Sequence, residues 1–298
     1  MTFTIDLYRA TLKLFGHYFT YFSAAKSDIN HLELIFREFI AQRELSNHPD
    51  IKFLMSDDAA NPYVRDVFDP FWGTKSIHYQ LGNTWIEWTV DDTPIPPLTV
   101  PPLAHRFLVL HGCSVQIKGR VIACCGPSFA GKSSLLLELL YQGAQAISDD
   151  LVVIEFGAEG EPLVWLYPKP VGIRLPTLSL LPWLPEKFSA VPDNCKLSFP
   201  ALEGRPATTL THLGDIFKRD VFIDDRRREL HAIYFLDQTY AGVKSLTPSQ
   251  GLVYLLGNTC NSGFSREELA SLCAQLVDRL PVQALGNQDV QMAVRLLL

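Results

Sequence analysis

The feature that most constrains this chain is a glycine-rich loop placed between an apolar strand and a helix. Residues 121–125 are wholly apolar, which predicts a buried strand, and the pattern G-x-x-x-x-G-K-S follows at 126–133. Residues 132–141 are good helix formers, and Gly143 stands where a left-handed residue would end the helix. This order predicts an α/β fold with a phosphate-binding loop. The alternative is an ordinary strand-to-helix turn.

Each part of this loop has an expected role in binding phosphate. The backbone N–H groups and the positive end of the helix would surround the phosphates. Lys132 would reach the β- and γ-phosphate oxygens, and the Ser133 hydroxyl would bind Mg²⁺. We therefore predict ATP and Mg²⁺ as cofactors. The predicted nucleotide-binding residues are Gly126, Pro127, Ser128, Phe129, Ala130, Gly131, Lys132, Ser133 and Ser134.

A pair of acids follows the loop at a short distance. Asp149 comes seventeen residues after Lys132, and Asp150 follows it. One helix and one return strand fill this interval, so both carboxylates should reach the sheet edge that carries the loop. One carboxylate could hold Mg²⁺ or its water, while the other accepts a proton from an attacking hydroxyl. Repulsion between the two acids would raise the pKa of one of them. A solvated turn or a helix cap is the alternative.

A histidine in the neighbouring strand completes a recognisable order of motifs. His111 lies in the strand predicted at residues 107–117, where a lone histidine is more often a packed core residue than a catalytic one. The order is a strand with His-Gly, a turn, an apolar strand, G-P-S-x-x-G-K-S, a helix and S-D-D. This order resembles the HPr serine kinase/phosphorylase family, and the resemblance covers about residues 105–156.

The resemblance implies a kinase with a mixed α/β sheet related to that of phosphoenolpyruvate carboxykinase. Such an enzyme transfers the γ-phosphoryl group of ATP to a serine hydroxyl of a protein or peptide. It implies that Asp149 is the general base and that Asp150 is its polar or metal-binding partner. His111 would orient the acid pair or balance its charge. The implied catalytic residues are Asp149, Asp150, His111 and Lys132, and the implied metal ligands are Ser133 and Asp150.

Two departures from the family pattern keep a second function open. The family loop usually has glycine where this chain has Phe129. Its downstream acidic Mg²⁺ ligand has no counterpart in residues 167–175, where the charged residues are Lys169 and Arg174. The alternative to a kinase is therefore a nucleotide-binding regulatory or adaptor module without phosphotransfer. ATP hydrolysis to drive motion is a less favoured third candidate, and reverse phosphorolysis is not predicted.

The remaining sequence sets the expected domain organisation. Residues 91–102 hold five prolines, which cannot continue a helix or a central strand. We therefore predict a small α+β domain of unknown role at 1–100 and a kinase-like domain at 101–298. Within the first domain we expect a helix at 29–45 and two strands that meet at a turn at 82–83. We expect three tryptophans to lie in the core of this first domain rather than in a base-stacking platform. They are Trp72, Trp85 and Trp88.

Composition limits the classes of partner. The net charge of −6 gives no general attraction to nucleic acid, and no window reaches the roughly 18 apolar residues of a membrane span. Six cysteines without a C-x-x-C pair suggest reduced, buried thiols. We expect a cytoplasmic protein with a serine-bearing protein or peptide substrate and neither nucleic-acid nor membrane partner, and homo-oligomerisation stays open. The main cluster of basic residues is either a clamp on phosphate or on an acidic peptide, or part of a solvated loop. Its members are Lys218, Arg219, Arg226, Arg227 and Arg228.

Overall fold

The structure is a computed structural model whose chain divides into two compact units, Met1–Ala104 and His105–Leu298. The predicted domain boundary falls in residues 91–102, which lie outside the described residues, as does Gly82 of the predicted turn. The structure describes residues 7–41, 51–57, 75–81, 83–87, 103–201, 206–223, 226–260 and 263–298.

The first unit contains a sheet and a helix. Its described strands are β1 Tyr8–Leu14, β2 His17–Ser23, β3 Ile51–Asp57, β4 Lys75–Leu81 and β5 Thr84–Glu87. They pair in chain order, with β2 and β3 parallel and the other neighbours antiparallel. Helix α1, Lys26–Ile35, lies against β1 and β2 and buries Ile29, Leu32 and Ile35 at helical spacing.

Two predictions for the first unit need correction. The helix expected at 29–45 begins at Lys26 and ends at Ile35, and a 3₁₀ turn, Arg37–Phe39, follows it. Apolar periodicity marks the buried face of a helix and misses a polar first turn, which explains the early start. Residues 42–50 lie outside the described part of the chain. Trp85 is 42% exposed, so its assignment to the core is wrong, whereas Trp72 and Trp88 lie outside the described residues.

The second unit is built on a mixed sheet, which has nine strands within the described residues. The strands of this unit are β6 Leu108–Ile117, β7 Arg120–Cys125, β8 Gln145–Ser148, β9 Leu151–Phe156, β10 Pro162–Trp165, β11 Val171–Ile173, β12 Leu197–Phe199, β13 Thr208–Thr211, β14 Arg227–Glu229, β15 Ala232–Asp237, β16 Val243–Ser245 and β17 Val282–Gly286. The main order is β14-β10-β9-β6-β7-β15-β17-β16, with β8 paired to β6, while β11, β13 and β12 form a separate small sheet.

The directions of the strands bring four strand ends to one edge of the main sheet. β15 is parallel to both β7 and β17, and β6 is antiparallel to both β7 and β8. β7, β8, β15 and β17 therefore run the same way. The residues that follow their carboxyl ends are Gly126, Asp149, Gln238 and Asn287.

Helices cover both faces of this sheet. They are α2 Lys132–Tyr141, α3 Leu175–Leu180, α4 Leu184–Ser189, α5 Leu213–Phe217, α6 Pro248–Leu256, α7 Arg266–Arg279 and α8 Val290–Leu297. α2 and α8 pack in one core with the short helices, and α6 and α7 contribute to the other core. The helix predicted at 132–141 is confirmed, and Gly143 after it has φ +95°. In the described part of the chain, none of the helices has the length and apolar character needed to cross a bilayer.

The segment 214–229 is dense in charges of both signs, a pattern that predicts an exposed loop, but it contains regular structure at both ends. Helix α5 buries Leu213, Ile216 and Phe217, and β14 pairs with β10. The prediction is wrong there because burial of apolar side chains and strand pairing outweigh the local charge density. Asp224 and Asp225 lie outside the described residues.

Candidate functional site

The loop at 126–131 connects β7 to α2 as a compact turn. The Gly126 N–H donates to the His111 carbonyl at 3.4 Å, and the Ala130 N–H donates to the Pro127 carbonyl at 3.2 Å. Gly131 and Phe129 both have left-handed backbone, with φ of +92° and +67°. Glycine adopts this region freely, whereas Phe129 is strained there and its side chain is 59% exposed.

The Lys132 side chain lies against the loop that precedes it. Its amino group donates to the carbonyls of Gly126 at 2.9 Å and Pro127 at 2.7 Å. Burial lowers the pKa of Lys132, and negative charge on Asp150 and Asp149 acts in the opposite direction. The loop thus contains the cation that the sequence predicts for phosphate binding.

Asp149 is bonded to the first turn of α2. Its carboxylate is 4% exposed, and both oxygens lie 3.1 Å from the Ser133 hydroxyl, which donates to them. Burial, followed by the charge of Asp150, raises the pKa of Asp149 to about 6. The structure therefore brings the predicted metal ligand Ser133 and the first acid into direct contact.

Asp150 engages a different set of partners. Its side chain is 50% exposed, and its oxygens lie 3.0 Å from Lys169 Nζ and 3.6 Å from His111 Nε2. The Lys169 charge is the main cause that holds the pKa of Asp150 below its ordinary value. Burial and the charge of Lys132 lower the pKa of His111, while Asp150 opposes them. Asp150 also has φ +72°, a left-handed conformation that aspartate tolerates better than most residues.

Three side chains that the sequence did not assign to the site lie in it. Lys169 forms the ion pair with Asp150, and the Arg174 guanidinium lies 4.9 Å from the centre of the exposed Phe129 ring. Asn287 donates from Nδ2 to the Ala130 carbonyl at 2.8 Å. The position of Asn287 after a parallel strand was a usable signal, since such strand ends share one edge. Lys169 and Arg174 had no comparable signal.

Three members of the basic cluster bind elsewhere. Arg219 donates to the carbonyl of Leu140, near the end of α2 that is distant from the loop. Arg227 pairs with Glu155 at 2.9 Å, four residues along β9 from its first residue. Lys218 donates to the Ala190 carbonyl. The charged groups of these three residues contact parts of the fold away from the loop, so the structure offers no support for a phosphate clamp by them.

The buried cysteines are packing residues. Cys113, Cys124, Cys125 and Cys273 are buried, and burial is the main cause that raises the pKa of Cys125. A thiol of raised pKa is a poor nucleophile at neutral pH. Cys195 and Cys260 are only partly buried, so the prediction of buried thiols holds for four of the six.

The oxygen atoms of the site suit a magnesium–nucleotide complex. Mg²⁺ prefers hard oxygen ligands and is usually held by one or two carboxylates together with substrate phosphates and water. Ser133 and Asp149 provide a hydroxyl and a buried carboxylate beside the loop. Among the residues that the structure describes, no group of three acidic, histidine or cysteine side chains could hold a metal ion without such help. The site fits a cation delivered with phosphate.

Comparison with known proteins adds a remote structural likeness. No protein-family model and no curated protein sequence matches this chain. A solved structure described as the HPr(Ser) kinase/phosphatase from Coxiella burnetii aligns over 63% of this chain and 93% of that chain, at 12% identity and a TM-score of 0.32. A likeness of this size establishes neither a shared family nor a shared activity.

Proposed function

We propose that this protein is an ATP- and Mg²⁺-dependent kinase that transfers the γ-phosphoryl group to a serine hydroxyl of a protein or peptide. The observation that carries the proposal is the contact between Ser133 and Asp149 at the loop, with Asp150 half-exposed beside it. This arrangement offers a phosphate site, a cation site and an open carboxylate at one sheet edge.

The inner side chains would hold the nucleotide. Lys132 would leave the loop carbonyls and pair with phosphate oxygens, which offer it a full negative charge. Ser133 and Asp149 would hold Mg²⁺ or its water molecules. The bound cation would neutralise charge that develops on the transferring phosphoryl group. Catalysis would then rest mainly on positioning and electrostatics.

The geometry favours an exchange of the roles that the family resemblance implies for the two acids. Asp149 was predicted as the base and Asp150 as the metal-binding partner. A base must reach the acceptor hydroxyl, and the buried Asp149 carboxylate is bonded to Ser133, whereas Asp150 is accessible from outside. We therefore assign Asp149 to the cation and Asp150 to the acceptor serine.

The pKa directions argue against this exchange of roles, but the geometry is the stronger argument. The raised pKa of Asp149 would make it the stronger base, and Lys169 makes Asp150 the weaker one. Phosphoryl transfer of this kind passes through a loose transition state, so the acceptor needs orientation more than strong basicity. A weak base in hydrogen-bonding reach is more useful than a strong base that cannot contact the substrate.

His111 and Lys169 would position Asp150. They contact different oxygens of its carboxylate, which leaves each oxygen with a defined neighbour. The Lys169 amino group is also a cation beside Asp150, where it could stabilise the charge of the transferring phosphoryl group. His111 was predicted to orient or balance the acid pair, and the observed contact is with Asp150.

A nucleotide-binding module without phosphotransfer is the second candidate. The observation that favours it is the segment 167–175, which contains no acidic residue and places the cation of Lys169 beside Asp150. The carboxylates of Asp149 and Asp150 are also already bonded to protein side chains. Such a site could bind nucleotide without transferring its phosphate.

One experiment separates these functions. The purified protein is incubated with γ-labelled ATP, Mg²⁺ and a library of serine-containing peptides, each with an alanine-substituted partner as the control. Label on serine supports the kinase, and binding without turnover supports the adaptor. Phosphate release that does not depend on the peptide identifies an ATPase and contradicts the proposal.

A further inference from the structure

Asn287 is a buried side chain bonded to the phosphate loop from the opposite side to the acids. It follows β17 and is 8% exposed, and its Nδ2 donates to the Ala130 carbonyl at 2.8 Å. Its own backbone N–H donates to the Asp237 carbonyl at 2.8 Å, which ties it to the end of β15. The side chain is therefore held by two strands and reaches over to the loop.

The contact with Ala130 fixes the direction of one loop N–H group. In a trans peptide the carbonyl and the N–H point in opposite directions. The Ala130 carbonyl belongs to the same peptide unit as the Gly131 N–H. When Asn287 holds this carbonyl on its own side, the Gly131 N–H must point away from Asn287. A phosphate held by the loop would lie on that other side.

The local chain does not fix this peptide by itself. Gly131 has φ +92°, and glycine populates both signs of φ about equally, so the peptide could rotate at low cost. A Cβ atom placed on Gly131 would lie 2.6 Å from Asn287 Nδ2, which shows how closely the amide packs on the glycine. The side chain of Asn287 thus supplies a restraint that the loop sequence lacks.

The second polar atom of Asn287 suggests that this donor role matters more than packing. Oδ1 is buried and has no hydrogen-bond partner among the described residues. A buried polar atom without a partner lowers stability, so an apolar side chain would serve a purely structural position better. The one favourable polar contact that the side chain makes with the described residues is the one to the loop.

We propose that Asn287 is a positioning residue that keeps the Gly131 N–H directed at the nucleotide phosphate. The proposal rests on the nucleotide-binding part of the proposed function and does not depend on phosphotransfer. Asn287→Asp has the same shape but places an acceptor against the Ala130 carbonyl. The peptide would then turn so that the Gly131 N–H bonds to the new carboxylate and leaves the phosphate. Asn287→Ala removes the restraint without adding charge.

The test measures binding of fluorescent mant-ADP with Mg²⁺ to the full chain, well below the unfolding temperature of each variant. We expect about tenfold weaker binding for Asn287→Ala and about a hundredfold for Asn287→Asp, as loss of a charge-assisted hydrogen bond predicts. Gln275→Glu is the matched control, because Gln275 also donates its amide to a loop carbonyl, that of Gly160. It should bind within about twofold of wild type, since a change remote from the phosphates removes no contact with them.

A spectroscopic signal separates positioning from a general loss of structure. In glycine-labelled protein, the Gly131 amide proton should shift downfield when ADP binds to wild type, and this shift should be absent in Asn287→Asp. Unchanged binding in both Asn287 variants, or a retained Gly131 shift in Asn287→Asp, overturns this inference and leaves the proposed function intact. If Asn287→Asp does not fold, Asn287→Ala decides the question. Failure of wild type to bind mant-ADP overturns the proposed function and this inference with it.

Discussion

The site has two halves in which neighbouring acids behave differently. The inner half consists of Lys132, Ser133 and Asp149, and the outer half consists of His111, Asp150 and Lys169. In the inner half, burial is the main cause that raises the pKa of Asp149, and its partner is a neutral hydroxyl. In the outer half, the Lys169 cation is the main cause that lowers the pKa of Asp150, and the carboxylate is half-exposed. Identical residue types at adjacent positions thus acquire opposite electrostatic character.

The backbone explains how two adjacent side chains reach such different surroundings. Asp149 directly follows β8 and is nearly as buried as Ser148, the last residue of that strand. Asp150 then adopts φ +72°, which ends the extended conformation before β9 begins at Leu151. One acid therefore stays with the core and the other is turned toward Lys169. Burial of Asp149 and the Lys169 cation beside Asp150, rather than residue type, therefore determine the different electrostatic properties of the two acids.

The largest expected effect is loss of the inner cation. Lys132→Ala should weaken nucleotide binding and lower phosphotransfer by about a thousandfold or more, because it removes the cation whose amino group lies directly against the loop. Isothermal titration with ATP and the peptide-labelling assay measure the two quantities. The exposed Lys244→Ala, on strand β16, is the control and should leave both unchanged. A Lys132→Ala protein that binds ATP normally would show that the loop does not hold phosphate.

The next effect distinguishes the two acids by their kinetics. Asp150→Asn should lower kcat by about 10²- to 10⁴-fold, the range expected for loss of a general base, with nucleotide affinity nearly unchanged. Asp149→Asn should instead remove the part of nucleotide affinity that depends on Mg²⁺. Binding measured with and without Mg²⁺, together with single-turnover transfer rates, tests both statements. Transfer retained in Asp150→Asn would return the base role to Asp149.

The third effect concerns stability and has opposite signs in the two halves. The folded protein binds a proton at Asp149 more tightly than the unfolded chain does, because its pKa is about 6 rather than 3.8. The stability contributed by this group is therefore present below about pH 4 and is lost as pH rises to about 6. The side chain of Asp149→Asn stays neutral, so this variant should become more stable than wild type as pH rises over that range, by on the order of 3 kcal/mol at pH 7.

Urea unfolding at pH 4, 5, 6 and 7 measures this gain, and Asp150→Asn is the matched control. Because the pKa of Asp150 is lowered, its substitution removes a favourable pair and should give a small loss of stability instead of a gain. If Asp149→Asn is less stable than wild type at pH 7, the inner carboxylate supports the fold and the contrast between the halves fails.

The inner half could be predicted from the sequence because its geometry is local. One helix and one short strand separate Lys132 from Asp149, and this leaves little freedom in where the acid returns. The contact between Ser133 and Asp149 follows from that spacing. The fate of the charged segment at 214–229 did not follow from local pattern, because α5 is fixed by burial of Leu213, Ile216 and Phe217 against residues distant in the chain.

The outer half of the site and the role of Asn287 could not be predicted from the sequence, because no local sequence pattern encodes the contacts that define them. Lys169 follows Tyr167, whose backbone N–H donates to the Ile147 carbonyl at 2.9 Å, so its approach to Asp150 depends on pairing between this segment and the end of β8. Asn287 and the carbonyl it binds are 157 residues apart. The division of labour between Asp149 and Asp150 was also hidden, since burial and a cation from elsewhere determine it.

The smallest expected effect tests the cation of the outer half. Lys169→Met keeps the aliphatic stem but removes the charge, so the pKa of Asp150 should rise toward its ordinary value. Asp150 must be ionised to accept a proton, and the acidic limb of the pH–rate profile should therefore move to higher pH. Stability should fall by less than about 1 kcal/mol, because the carboxylate is half-exposed and the pair is screened by solvent. Lys169→Arg keeps the charge and should leave the limb in place. An unchanged limb in Lys169→Met, measured by single-turnover transfer from about pH 2.5 to 6 so that the ordinary value of 3.8 lies inside the range, would mean that Asp150 is not the group whose ionisation limits the reaction.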